Sequence, residues 1–359
     1  MHQSIIVSND CQVQDPVYLC RDKAIYLEER KRKVYAAELA KIYRLSGKLK
    51  PHAWKLDACG DYLIFGVTAS GERLLMAANY CLERLCPLCM HRRTVRVFAQ
   101  MSHVLDWLDA LCDGAEQPHY RYLLLTLTVK NCARGDLQAT MNHLMESWSR
   151  LRRTKPFMRS MEGYFRVLEI THNDRDNTYH PHFHVMLAVR PEYFHNDKYK
   201  PYISHGGWVR MWREAARLDY DPSVDIQAVK TLDNGRVGVA EVVKYTVKGN
   251  DYIYPDYEKA VPVVETLHDA LFGRRLYFFG GCFADARKAL KLGDVEKDLT
   301  DIEEKELRKE TIVALERWCY IHNPSDWVLT STDGPPPEDV REVWRKGEGE
   351  NNADSSRHP

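Results

Sequence analysis

The chain has 359 residues, 44% of them hydrophobic and 28% charged, with 51 Lys plus Arg against 51 Asp plus Glu. At roughly 150 residues per domain this length suggests about two domains and a well-buried core, and the composition excludes collagen-like, fibrous and wholly disordered classes. A zero charge balance argues against a nucleic-acid binder only until the chain is divided. Residues 291–359 hold 10 basic and 17 acidic residues, a net of −7, which leaves residues 1–290 at +7, so an acidic tail masks a basic body.

Ten cysteines are too few for a secreted disulfide scaffold, no charged-then-apolar leader opens the sequence, and no window approaches about 18 consecutive apolar residues. A cytoplasmic protein with no membrane span is expected. Residues 1–50 carry no motif. The next stretch, 51–117, reads as a zinc-binding subdomain and a linking helix. In NYCLERLCPLCMHRR, Cys81, Cys86 and Cys89 are spaced C-x4-C-x2-C, and Cys59 precedes them next to Gly60. Two thiolates two residues apart can bind one tetrahedral ion, and zinc suits four soft ligands. A redox role for the Cys86/Cys89 pair is the alternative. The fourth ligand is open between two residues: His91 lies only two residues after Cys89, which is tight for the same ion, so Cys59 is favoured. Two arginine clusters, Arg92, Arg93 and Arg96, and Arg150, Arg152, Arg153, Lys155 and Arg159, are candidate DNA-phosphate contacts, with a solvated helix face as the plain alternative.

RYLLLTLTV (121–129) is strand-sized. GYFRVLEIT alternates in polarity, HNDRDNTY supplies turn residues, and HFHVMLAV alternates again, so residues 164–190 read as an antiparallel hairpin. A period of two places His182 and His184 on one face and Phe183, Val185 and Leu187 on the other. Leu168 and Ile170 then join the core, and Glu169 projects beside the histidines, where its carboxylate completes a mixed nitrogen and oxygen site suited to magnesium or manganese held against a phosphate. In EVVKYTVK, Glu241 and Tyr245 would stand about 13 Å apart in a strand but about 6 Å apart on a helix, so only a helix lets both act on one phosphorus. Lys248 joins the same helical face and can stabilise the phenolate. Tyr252, Tyr254 and Tyr257 are rival nucleophiles.

HPHFHVML, preceded by RYLLLTLTVKN and FRVLEIT and followed by EVVKYTVK, resembles the ordered motif set of the HUH endonucleases. The cysteine cluster ahead of it, and RRLYFFGGCF after it, narrow the likeness to plasmid rolling-circle replication initiators with one catalytic tyrosine and a nearby glutamate. The resemblance spans about residues 55–290. It implies an α+β fold, a ferredoxin-like or RRM-like unit with a central antiparallel sheet over 118–290, and a tyrosine on a following helix. By the same likeness His182, His184 and Glu169 hold Mn2+ or Mg2+ and the four cysteines hold Zn2+. Tyr245 attacks the scissile phosphate to leave a 5′-phosphotyrosine and a free 3′-hydroxyl, Glu241 activates a terminating water, and Lys248 assists. Single-stranded and origin DNA, host helicase and host replication machinery are the implied partners, in a bacterial cytoplasm. A related transposase or relaxase, a small-molecule metal hydrolase and a non-catalytic zinc DNA-binding protein are the alternatives. Beyond 290, residues 291–334 are expected to form an acidic helical extension and 335–359 a disordered tail.

Overall fold

The computed structural model describes residues 23–71, 73–111, 119–195, 202–229, 239, 242, 252–296, 299, 312–322 and 325–333. Before the first sheet motif come α1 (Lys23–Leu45), α2 (Ala53–Asp57), the strands β1 (Tyr62–Thr68) and β2 (Arg73–Ala78), and α3 (Pro87–Ala110). Then follow β3 (Arg121–Thr128), α4 (Leu137–Leu151), α5 (Lys155–Ser160), β4 (Gly163–Asn173), β5 (Thr178–Val189), α6 (His205–Ala215) and β6 (Val224–Ala228). The chain continues with α7 (Tyr257–Leu271), β7 (Tyr277–Gly281), α8 (Cys282–Ala289), β8 (Ile312–His322) and β9 (Ser325–Asp333). This is a mixed α+β chain with two antiparallel sheets.

The chain divides into two compact units, one comprising residues 1–34, 60–79 and 309–359 and the other 35–59 and 80–308. The first holds the four-stranded sheet β2-β1-β8-β9. Here the expected acidic helical extension is corrected: residues 312–322 and 325–333 are strands, β8 pairing with β1 and β9. The acidic residues before Ile312 dominated the composition, whereas IVALERWCYIH and DWVLT are rich in β-branched and aromatic residues, which favour a pleated, half-buried surface. Glu316 is buried in this sheet, with Arg73 donating to both carboxylate oxygens (2.7 and 3.1 Å) and Trp318 Nε1 donating at 2.9 Å. The stretch 51–117 is not one body, because residues 60–79 group with the late hairpin while all four candidate zinc cysteines lie in the second unit. Residues 335–359 lie outside the described residues.

The second unit is built on a five-stranded sheet of order β6-β3-β5-β4-β7. Leu127, Leu125 and Leu123 of β3 stand opposite Phe183, Val185 and Leu187 of β5, and Leu168 of β4 stands opposite Phe183. Partners directly opposite share a face, so these residues form one apolar layer, buried throughout. The layer faces α4, whose Leu137, Met141, Leu144, Trp148 and Leu151 recur at helical spacing and are buried. The Trp148 ring meets Phe183 edge-on at 6.1 Å. On the other face, Tyr122 of β3 stacks on Phe283 of α8 at 6.1 Å, which covers the end of that face far from the histidines.

β5 starts at Thr178, four residues ahead of the strand read from sequence, and so contains Pro181. Tyr179 exchanges backbone hydrogen bonds with Cys132 at 2.9 Å in both directions, so the missing N–H two residues later also points toward the β3 side. The β3–β5 ladder ends at Thr128 and His182, and Pro181 falls in the gap before the Cys132–Tyr179 bridge, where a proline removes no ladder bond.

Where β7 meets the start of β4, Gly281 has φ of +58, and a Cβ there would lie 2.1 Å from the Glu162 carbonyl oxygen and 2.7 Å from the Gly163 Cα. Both the backbone conformation and the close approach demand glycine. Gly281→Ala should therefore lower stability by about 2 kcal/mol or more, read as a fall in Tm by calorimetry; a Tm equal to that of the wild type would contradict this account of the junction.

Candidate metal centre

The β4–β5 register sets Glu169 directly opposite His182, and Val167 opposite His184. With the strand period of two, Glu169, His182 and His184 project together from the face opposite the Phe183 layer. Glu169 Oε2 lies 2.8 Å from His184 Nε2 and 3.5 Å from His182 Nε2, and the two Nε2 atoms are 3.1 Å apart. The other ring nitrogens are engaged. His182 Nδ1 donates to the His180 carbonyl oxygen at 3.0 Å, and His184 Nδ1 lies 3.2 Å from Thr126 Oγ1. A carbonyl oxygen only accepts, so the His182 proton sits on Nδ1 and its Nε2 lone pair faces the triangle, the usual arrangement for an imidazole ligand.

Cis ligands of an octahedral cation at about 2.1 Å stand about 3.0 Å apart, close to the three edges observed. Two nitrogens and one carboxylate oxygen on one face fit a divalent cation and leave open positions for a phosphate oxygen. Glu169 and His182 are buried and His184 is half-buried, and exposure rises from His184 through the half-buried Thr126 opposite it to the exposed Asp225 of β6. The cluster is therefore more open toward the β3–β6 side. Burial pushes the Glu169 carboxyl up, but the adjoining imidazoles of His182 and His184 outweigh it and hold the group at about 2, so it is an anion at any physiological pH. His180 is not one of the three. Its ring lies 4.9 Å from that of His182, and burial pushes its pKa down.

Glu241, Tyr245 and Lys248 lie outside the described residues. Just before Tyr245, Val239 and Val242 are helical and buried, three residues apart on one helix face. The rival tyrosines are all committed. The buried Tyr252 hydroxyl donates to the Leu85 carbonyl oxygen at 2.5 Å, and that of Tyr257 donates to Glu38 Oε2 at 3.0 Å. The Tyr254 hydroxyl lies 2.7 Å from His172 Nδ1, and His172 shares the strand parity of Leu168 and Ile170, on the face away from the triangle.

Cys59, Cys81, Cys86 and Cys89 also converge. Cys59 Sγ lies 3.5 Å from both Cys86 Sγ and Cys89 Sγ, and Cys81 Sγ lies 3.6 Å from Cys89 Sγ. Sulfurs bound to one zinc at about 2.3 Å stand about 3.8 Å apart, so the cluster fits a tetrahedral ion. Cys86 caps the start of α3, with Pro87 in the first helical position where its missing N–H is harmless, and Cys89 follows within the first turn. Burial opposes ionisation of Cys86, yet hydrogen bonds from the other three sulfurs hold it well below the usual thiol range.

The arginine clusters separate in space. Arg93 is buried and donates to the carbonyl oxygens of Glu83 (3.2 Å) and Leu82 (2.6 Å), so it braces the cysteine loop and is no phosphate contact. Arg92 reaches the Leu299 carbonyl oxygen at 3.5 Å. Arg150 donates to the Ala215 carbonyl oxygen at 2.5 Å and to Ser147 Oγ at 2.9 Å, and pairs with Glu146 at 3.5 Å, which ties α4 to the end of α6. Arg152 donates to the Tyr164 hydroxyl at 2.9 Å. Arg153 and Lys155 are exposed.

A family model described as "Replication protein" matches residues 72–326. "Protein rep" of Streptococcus pneumoniae serotype 2 is 37% identical over 268 residues, covering 74% of this chain and 81% of that protein. "Protein rep" of Lactiplantibacillus plantarum is 34% identical over 295 residues, covering 80% and 90%. A "Replication protein" of Staphylococcus aureus is 32% identical over 228 residues, covering 61% and 96%. No solved structure matches the chain.

Proposed function

The chain belongs to the replication protein family, and from that premise we propose that it is a plasmid replication initiator that nicks one strand of origin DNA by an HUH mechanism. The convergence of Glu169, His182 and His184 on one open sheet face carries this reading. A divalent cation bound there, Mn2+ or Mg2+, supplies Lewis-acid polarisation of the scissile phosphate. Glu169, His182 and His184 would hold that cation on the sheet face that carries them. The Tyr245 oxygen attacks phosphorus, the bond to the 3′-oxygen breaks, and the strand is left with a 5′-phosphotyrosine and a 3′-hydroxyl that primes synthesis. Lys248 lowers the cost of the phenolate. Glu241 takes a proton from water in the terminating cleavage, which replaces a second tyrosine.

The commitment of Tyr252, Tyr254 and Tyr257 to other partners supports Tyr245 as the nucleophile. The sulfur spacings support a structural Zn2+ on Cys59, Cys81, Cys86 and Cys89. Single-stranded origin DNA is the substrate, and host helicase and polymerase in a bacterial cytoplasm complete the replication step by family analogy. No helix among the described residues is long and apolar enough to cross a membrane.

With a single-stranded origin oligonucleotide and manganese, wild-type protein should form a covalent 5′-linked adduct and Tyr245→Phe should form none; an adduct in the variant would remove Tyr245 from the mechanism. Metal analysis of Cys86→Ser should find about one zinc fewer per chain than in wild type, and an unchanged zinc content would contradict the four-sulfur site.

A further inference from the structure

The exposed cations at the α4–α5 corner have a buried counterpart that the metal chemistry leaves unused. Arg166 of β4 has 3% of its surface exposed. It has the strand parity of Leu168, away from the metal cluster. Its guanidinium carbon sits 4.3 Å from the Phe183 ring centre, 4.9 Å from that of Phe278 and 5.6 Å from that of Trp148. Three aromatic faces replace the carboxylate that a buried guanidinium normally requires. Burial and the neighbouring Arg152 push its pKa down, but only to about 10, so it stays charged. Arg152 lies over the Tyr164 ring at 5.4 Å.

Around this pair of like charges stand the exposed Arg153, Lys155 and Arg159, with Lys155 and Arg159 one turn apart on the same face of α5. The flanking acids are already taken, Glu146 by Arg150 at 3.5 Å and Glu162 by Arg190 at 3.8 Å. Among the described residues no acidic side chain pairs with any of these five cations. The corner is thus a region of uncompensated positive charge that a polyanion would relieve. It is also separate from the metal cluster: Arg166 and Glu169 are about 10 Å apart along β4 and their parity sends them to opposite faces of the sheet.

We propose that Arg152, Arg153, Lys155 and Arg159, backed by Arg166, form a phosphate-contact surface for duplex DNA flanking the cleaved segment. The inference rests on the nicking function proposed above and adds a second contact to it. A duplex fits better than an unpaired strand, which is held by successive bases stacked on a run of open rings: Phe157 is buried, Arg152 lies over the Tyr164 ring, and Phe278, though exposed, already has Arg166 against it. Cations that meet only the sugar-phosphate backbone fix position and carry no sequence preference.

The test is equilibrium binding of the full chain, without divalent metal, to a labelled random-sequence duplex and to a single strand of the same length, between about 50 and 200 mM salt. Arg153→Gln/Lys155→Gln/Arg159→Gln should bind the duplex about tenfold or more weakly, and its plot of log K against log salt should be shallower by about 2 to 3. Arg153→Lys/Arg159→Lys, which keeps the charges, should retain the wild-type slope. A wild-type slope in the glutamine variant, an equal loss in the lysine variant, or a loss confined to the single strand would each overturn the proposal. Because cleavage is not read, absence of any adduct would sink the nicking function and leave the slope result standing by itself.

Discussion

The pairing of β4 with β5 is the constraint on which the candidate centre depends. The register that sets Glu169 opposite His182 puts one carboxylate and two imidazoles on the same face, and a slip of one residue would send Glu169 to the opposite side. That register is held by the layer on the other face, where Leu168 meets Phe183 and Trp148 of α4 packs on Phe183. Apolar packing on one side of the strand pair therefore fixes polar geometry on the other. It also holds three mutually repelling or desolvated groups within about 3.5 Å of one another, an arrangement that a bound cation would stabilise.

The cysteine loop is a second organising point in the same unit. Its backbone carbonyls are used by distant side chains: Arg93 donates to Leu82 and Glu83, and Tyr252 donates to Leu85. Glu83 lies 3.1 Å from His52 Nδ1 and 3.8 Å from His268 Nε2, which brings α7 to the loop. Tyr252, seven residues beyond Tyr245 in sequence, is thus anchored on the loop that carries Cys81 and Cys86.

Much of the site was legible in the sequence because its geometry is local. Two alternating runs joined by Asn and Asp residues specify the hairpin; strand periodicity places His182 and His184 together, and the pairing of the two runs adds Glu169. The cysteines were legible through spacing. Other features depend on distant partners. The start of β5 was hidden by Pro181, which is acceptable there only because β3 has ended. The late hairpin reads as an acidic extension until β1, some 250 residues earlier in sequence, is seen to pair with β8. The arginine clusters look uniform, yet helical periodicity turns Arg93 of α3 inward, whereas Arg153 sits in the turn between α4 and α5, in solvent. Arg166 gave no sign, since an arginine within a strand announces its aromatic cage only once α4 and β7 are in place.

The central claim is that Glu169, His182 and His184 form one divalent-cation site, distinct from the four cysteines. Electron paramagnetic resonance of added Mn2+ tests it most directly, with zinc-loaded protein and no DNA present. Wild type should remove about one equivalent of the free-ion signal, and His182→Ala/His184→Ala should leave that signal intact at the same concentrations while its zinc content stays unchanged. Equal manganese uptake by the two proteins would contradict the account.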